Sequence, residues 1–575
     1  MPIHNSDISG ILRKVADLLD IEGANQFRVR SYREAAQNID NLSGDVSTMV
    51  AEGQELTAIP GIGSSMAEKI REIVDTGTLG QLEEITSRIP ESLTDLLRLE
   101  GLGPERVGDL YRQLGIETLE ALEYAVEDHR IRELEGFGAK TEEKIGHELE
   151  RIGEQDIRTM YSEAEEYTEP LMEYLKGCEG VGKIAVAGSY RRRKETVGDI
   201  DILATCDNIQ SVMELFVRYE DVDEVLAHGE TKSSVRLRSG LQVDLRAVAE
   251  KSYGAALAYF TGSQRHNIRL RERAQERNLK INEYGVFPEG EEHPVGGKEE
   301  EEVYASVGLP YIHPELREDR GEIEAAEDDN LPGLITLNDL RGDLQMHTTA
   351  SDGTASVREM AEAARALGHE YIAITDHSQR VTVAGGLDAD ELAEEIDRID
   401  EINESFDGFR ILKAVEVDIL KDGRLDLEDD ILQRLDLRVC CIHYHQDLDE
   451  EVQTTRVLRA MENPYFNILG HPTGRELGRR GEMALDMERI MDRALEYGCF
   501  LELNSTPRRL DLNDIYCKMA KERGVKIAIS TDAHSTGELQ HIRYGINQAR
   551  RGWLEPDDVV NTRPADELLR LLHRD

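Results

Sequence analysis

GKIAVAGSYRRRKETVGDIDILA, residues 182–204, decides how the middle of this chain folds. An apolar strand runs into Gly188-Ser189, a basic loop follows over Arg191 to Lys194, and a second strand carries Asp199 and Asp201. Two residues apart on a strand means the same face, so both carboxylates point one way. A third strand, LQVDLRAV (241–248), follows SSVRLR (233–238) across a Ser239-Gly240 turn and brings in Asp244 as part of a hairpin. Strands built of Ile, Leu and Val rarely give one face to acids without a use for them. Three convergent carboxylates beside a small Gly-Ser loop are what two-metal phosphoryl transfer requires, because magnesium takes oxygen ligands and shares them with substrate phosphates.

Toward the N-terminus, one pattern occurs three times: IPGIGSSMAEKI (59–70), LEGLGPERVGDL (99–110) and LEGFGAKTEEKI (134–145). Each places a Gly-apolar-Gly turn just before a helical stretch, where backbone N–H groups can meet a phosphate. The repeats resemble helix-hairpin-helix units, which hold the DNA backbone without reading its sequence. Gly61, Gly63, Gly101, Gly103, Gly136 and Gly138 are the expected DNA-contacting positions.

Toward the C-terminus, seven short apolar runs alternate with helical segments: GDLQMH (342–347), YIAITDH (371–377), RILKAVEVD (410–418), RVCCIHYH (438–445), FNILGHP (466–472), CFLELNS (499–505) and KIAISTDAH (526–534). The alternation predicts a parallel β/α barrel, whose strand ends gather at one mouth. His347, Asp352, His377, Glu416, His443, His471, Asp532 and His534 are then expected to meet there as metal ligands, whereas His445 has no such support. Such a nitrogen-rich set with carboxylates suits zinc or manganese better than magnesium.

GSYRR, GDID and VDL, followed by YFTGS (259–263) and INEYGVF (281–287), resemble family X DNA polymerases in order and spacing. The resemblance implies that Gly188, Ser189, Arg192 and Gly198 grip the incoming triphosphate. It makes Asp199, Asp201 and Asp244 the catalytic ligands of Mg2+ or Mn2+, with Asp244 accepting the primer hydroxyl proton. Tyr259, Phe260 and Gly262 would border the nucleotide sugar, with Asn267 and Arg271 facing the base pair. Leu56 to Ile85, with SYREAA (31–36), is similar to the lyase domain of DNA polymerase beta, which makes Lys69 the Schiff-base nucleophile. Here Ser65 stands where that family has a second lysine, and Arg28 takes an upstream basic position.

The C-terminal ligands resemble the polymerase and histidinol phosphatase (PHP) phosphoesterases, which use up to three metal ions, here Zn2+ or Mn2+. Gln345 departs from the family, whose members often have His there. The implied activity is gap-filling repair synthesis with 3′-end processing by exonuclease, 3′-phosphatase and abasic-site cleavage. The expected organisation is an all-α helix-hairpin-helix region (lyase-like 1–85, fingers 86–155), an α/β nucleotidyltransferase palm (156–250), a thumb (251–312), a linker (313–338) and a PHP (β/α)7 barrel (339–575).

Composition sets the remaining expectations. With 116 acidic against 68 basic residues the formal charge is −48, unusual for a partner of DNA, and it points to a halophile's surface. Six cysteines without CxxC spacing suggest reduced thiols, and no apolar run is long enough to span a bilayer. A cytoplasmic monomer acting on gapped or nicked DNA and dNTPs is expected, without membrane partners.

Overall fold

A computed structural model describes residues 5–40, 46–59, 61–97, 99, 102–134, 136–154, 158–477 and 480–573. The chain forms two compact units, Met1–Ile157 and Arg158–Asp575. The first is helical. Helices α1 (Asn5–Glu22), α2 (Gln26–Asp40) and α3 (Ser64–Thr76) pack through Leu12, Val15, Ile39 and Ile70, all fully buried. A second cluster joins α4 (Pro104–Leu114) to α5 (Ala139–Glu154) through Val107, Leu110 and Ile145. Each buried Val, Leu or Ile contributes about 1.5–3 kcal/mol, and this burial, more than helix propensity, holds such short helices.

The second unit opens with a five-stranded sheet. Its strands are β1 (Val181–Val186), β2 (Asp199–Cys206), β3 (Val222–His228), β4 (Lys232–Leu237) and β5 (Gln242–Ala247), in the order β1-β2-β5-β4-β3. Only the central β2/β5 pair is parallel, and its register sets Asp201 opposite Asp244. β4 and β5 form the expected antiparallel hairpin, with Ser234 opposite Asp244. Helices α6 (Tyr253–Thr261) and α7 (Gln264–Glu276) follow. α6 lies so close to the chain at Glu299 that a Cβ on Gly254 would fall 2.1 Å from the Glu299 carbonyl carbon.

The first half of the stretch expected to be a linker, 313–326, is folded into this body, while 327–338 is mostly exposed. Arg317 is fully buried, donates to Glu300 Oε1 at 2.6 Å and to Ile312 O, and lies over the Tyr304 ring. Glu322 is also fully buried, 2.7 Å from His266 Nδ1. Proline and acidic residues made 313–338 read as a spacer, but Glu315, Arg317, Glu318, Arg320 and Glu322 pair with partners elsewhere in the fold, a tertiary outcome that composition does not encode.

The barrel strands are β6 (Gly342–Asp343), β7 (Tyr371–Ile374), β8 (Arg410–Asp418), β9 (Leu437–Cys441), β10 (Ile468–Leu469), β11 (Phe500–Asn504) and β12 (Ile527–Ser530). They are parallel in sequence order, and a bridge from Met346 to Ala533 ties the first strand's end to the last. The strands are buried along almost their whole length because both faces are covered, which is why they read as continuous apolar runs. Helix α8 (Ile542–Arg551) sits on the last strands, where a Cβ on Gly545 would lie 2.0 Å from Ser505 Oγ and 2.8 Å from Ile529 Cγ2. All six cysteines are free, and no helix among the described residues is long and apolar enough to cross a membrane.

Candidate active sites

In the palm, parallel pairing of β2 with β5 sets Asp201 beside Asp244, with Asp199 two residues back on the same face. Gly188 has φ 63°, and a Cβ there would approach Asp201 Oδ2 to 3.2 Å, so a residue without a side chain lets the loop lie against the carboxylate. Partial burial raises Asp201 to about 6, with Asp199 adding repulsion; Asp199 is raised too, by desolvation and then by Asp244. Burial also pushes Asp244 upward, but Lys232, Ser234 and Arg246 outweigh it and hold it below the usual carboxylate range. Lys232 Nζ lies 2.5 Å from Asp244 Oδ2, and Arg246 lies 3.6 Å from Asp244 and 3.8 Å from Asp201. Carboxylates that repel one another and draw cations are the donor set a pair of divalent ions fits.

Ser189 sits in the short helix Gly188–Arg191, while Gly198 is exposed just before β2. Arg192 donates from Nε to Glu318 Oε1 at 3.0 Å and from Nη1 to Thr261 O at 2.5 Å, which places it against the Tyr259–Gly262 segment. Tyr259 and Phe260 meet edge to face, and Arg246 lies 4.5 Å from the Phe260 ring centre, so the aromatic pair reaches the carboxylates through Arg246. Gly262 has φ 66°. Asn267 Nδ2 donates to Tyr259 O at 2.7 Å, and Arg271 Nε to Asn267 O at 3.2 Å.

At the barrel mouth all eight expected ligands converge, with Glu416 as the hub. His347 Nε2 lies 3.1 Å from Glu416 Oε2, His471 Nε2 3.1 Å and His443 Nε2 3.0 Å from Oε1, and His377 Nδ1 3.6 Å from Oε2. Asp532 joins through His347 at 3.1 Å. Asp352 lies 3.5 Å from both His377 and His534 and 3.6 Å from His347. Burial lowers His347 and His443, but the adjoining carboxylates more than reverse this, carrying His443 to about 9 and His347 well up. Burial likewise favours the neutral form of Glu416, yet the surrounding imidazoles pull it well down. In His471 desolvation wins, and its affinity for a proton falls. His377, His471 and His347 each keep a buried Nδ1 without a hydrogen-bond partner, and so does Asp418 Oδ2. Imidazole and carboxylate donors held within 4.8 Å of one another, some unpartnered, fit divalent metal ions.

Several residues here were not singled out from sequence. Asp418 accepts the backbone N–H of His443 at 3.0 Å and lies 3.2 Å from its Nδ1, so it orients that ring. Glu502 accepts the N–H of His471 at 2.5 Å, and burial raises its pKa well above the ordinary value. Cys441 shares a donor cluster with Glu416 and His471. Asp418 and Cys441 close β8 and β9, and that strand-end position was the available signal, whereas Glu502 lies in the middle of β11. Gln345 uses its Nε2 to donate to Glu416 at 3.1 Å and leaves a buried Oε1 unpartnered. His445 is exposed.

In the helical unit, Gly63 and Gly103 precede α3 and α4 as extended N-caps with no side-chain cap, and Gly61 and Gly136 take φ 71° and 87°. Gly138 stands directly before α5, while Gly101 lies outside the described residues. Lys69 on α3 is half-buried, hydrogen-bonds Ser65 Oγ at 3.0 Å and lies 5.7 Å from the Tyr32 ring centre. Burial raises Tyr32 to about 12.

Comparison with known families follows the same divisions. Models described as helix-hairpin-helix domain, SAM-like helix-hairpin-helix tandem, DNA polymerase beta palm, DNA polymerase beta thumb and PHP domain match residues 3–79, 93–151, 158–257, 256–318 and 343–506. A beta-type palm and thumb behind helix-hairpin-helix domains and ahead of a PHP barrel is the class these features define. The "DNA polymerase/3'-5' exonuclease PolX" of Bacillus subtilis (strain 168) is 38% identical over 574 residues, spanning 100% of both chains. This chain belongs to that family, the family X polymerases with a C-terminal PHP domain. A probable phosphatase of Thermoanaerobacter sp. (strain X514) is 32% identical over 232 residues, 38% of this chain and 90% of that protein. DNA polymerase lambda of Arabidopsis thaliana is 26% identical over 351 residues, 55% of this chain and 62% of that one.

Proposed function

We propose that this protein is a gap-filling DNA repair polymerase whose barrel removes what blocks a 3′ end before the palm extends it. The observation that carries this reading is that one compact unit holds two separate constellations, the paired Asp201 and Asp244 under Gly188 and the eight candidate ligands at the barrel mouth, Glu416 among them. In the palm, Asp199, Asp201 and Asp244 would hold Mg2+ or Mn2+, which when bound neutralises the triphosphate and eases loss of pyrophosphate. Asp244, kept ionised by Lys232, would take the proton of the primer 3′-hydroxyl. Gly188, Ser189, Arg192 and Gly198 form the triphosphate side, and Tyr259, Phe260 and Gly262 the sugar side, with Asn267 and Arg271 toward the base pair.

In the barrel, the eight ligands would hold Zn2+ or Mn2+, up to three ions, which supply a nucleophilic hydroxide near neutral pH. Asp418 and Glu502 orient His443 and His471, and the buried walls exclude bulk water. Exonuclease, 3′-phosphatase and abasic-site cleavage are the reactions this site would serve. Lys69, close to Tyr32 and Ser65, would form the imine with a 5′-deoxyribose phosphate, and the Gly-x-Gly turns would hold backbone phosphates of gapped or nicked DNA. We place the protein in the cytoplasm as a monomer whose acidic surface tolerates high salt. The test is a gapped duplex ending in a 3′-phosphate, incubated with dNTP and each divalent metal in turn. Phosphate release followed by one-nucleotide extension is expected, and extension without release, or release without extension, overturns the combined reading.

A further inference from the structure

Four consecutive cations, Arg191 to Lys194, follow Gly188 and Ser189, and a loop so charged needs counter-charges to settle. Part of that support comes from the barrel. Arg551, at the end of α8 and 3% exposed, donates from Nη1 to the backbone carbonyl of Arg192 at 2.8 Å and to Glu318 Oε1 at 3.0 Å. Glu318 is also the carboxylate that receives Arg192 Nε. The other nitrogen of Arg551 is anchored on Asp514 Oδ2 at 2.6 Å, which Arg320 shares at 2.9 Å. Three residues along the loop, Glu195 is held in the fork of Arg475 at 2.7 and 3.2 Å and takes a further bond from Gln548 of α8 at 3.2 Å. Arg475 is in turn fixed by Arg509 O at 3.0 Å and Leu510 O at 2.5 Å.

The barrel also touches the palm away from this loop, where Arg543 and Tyr544 meet Glu165 at 2.6 and 2.9 Å. What singles out the loop contacts is that Arg551 fixes both the main chain of Arg192 and the carboxylate that sets its side-chain direction. Because Arg192 also donates to Thr261 O, that direction passes to the Tyr259–Gly262 segment. We propose that the barrel is a positioning element of the nucleotide-adding site, with Arg551 and the Glu195–Arg475 pair as the residues that hold the triphosphate loop. The inference rests on reading Gly188, Ser189 and Arg192 as that loop.

Single-nucleotide insertion on a gapped duplex with an unblocked primer, over a range of dNTP, tests it in the full chain. In Arg551→Ala, Glu318 keeps Arg192 and Asp514 keeps Arg320 as partners, so no carboxylate is left alone. The dNTP KM is expected to rise about tenfold, with affinity for the gapped duplex and release of a 3′-phosphate unchanged. Arg551→Lys should recover only part of this, since an ammonium cannot reach three acceptors that a planar fork spans. Glu195→Gln, which keeps an acceptor for Arg475, should raise KM about threefold, and it decides the matter if Arg551→Ala does not fold. An unchanged dNTP KM in folded variants, or an equal fall in both activities, overturns the positioning role. Wild-type protein that adds no nucleotide overturns the palm reading itself, a separate result from active wild type with unaffected variants.

Discussion

Asp244 is 4% exposed and meets Lys232, Arg246 and Ser234, so its charge is bound into the palm alone. Asp244→Ala should lower nucleotide addition by about a thousandfold or more, since it removes both a metal ligand and the proton acceptor, while 3′-phosphate release continues. Loss of both activities in a primer-extension and phosphate-release pair would contradict two independent sites. His443→Ala should do the reverse. It deletes an imidazole that bridges Glu416 and Asp418, so metal content measured after dialysis should fall along with 3′ processing, and extension of an unblocked primer should persist. The candidate ligands were legible because most of them lie at or just past the end of an apolar strand. Asp418 and Glu502 were passed over, although Asp418 closes β8, because a carboxylate that steers a neighbouring residue looks in sequence like any other strand residue.

Among the elements, α3 carries Lys69 and Ser65 directly after the Gly61–Gly63 turn, within reach of Tyr32 on α2. If Lys69 is a nucleophile, borohydride should trap a covalent adduct with a 5′-deoxyribose phosphate end, and Lys69→Ala should abolish the band on a denaturing gel. No adduct with wild type would leave Lys69 as a phosphate contact. The hairpin turns were readable from three Gly-x-Gly copies, because a left-handed residue at Gly61 and Gly136 demands glycine wherever the fold repeats the turn. The packed part of 313–338 was not legible for the opposite reason: nothing local to Arg317 announces that Glu300 and the Tyr304 ring will bury it.

Over the whole molecule, charge governs two expectations. Burial tends to raise Glu318, but Arg551 and Arg192 draw it down to about 2, and Arg320 and Arg551 likewise depress Asp514. Carboxylates depressed in the folded state stabilise it above their ordinary pKa of 4.5 and 3.8 and lose that contribution as pH falls toward 2. Thermal melts should therefore drop steeply across that window, and Glu318→Gln should flatten the drop; an unchanged profile would show that this junction does not set acid stability. The net charge of −48 predicts that DNA affinity falls shallowly with salt, since backbone amides at helix starts displace few counterions. Titration of a gapped duplex from low to molar KCl, with circular dichroism to confirm folding, would sink this if the slope were steep. By itself the sequence determined the order of the parts and marked the palm carboxylates and the barrel's clustered His, Asp and Glu residues, because strand period and strand-end position are local and repeat along the chain. Only the tertiary structure decided that Glu416 is the hub, that Arg317 and Glu322 are buried in the palm-thumb body, and that the barrel's Arg551 and Arg475 grip the palm's basic loop. Those are pairings between residues as many as 359 apart, chosen by how buried charges find partners, and no local pattern carries them.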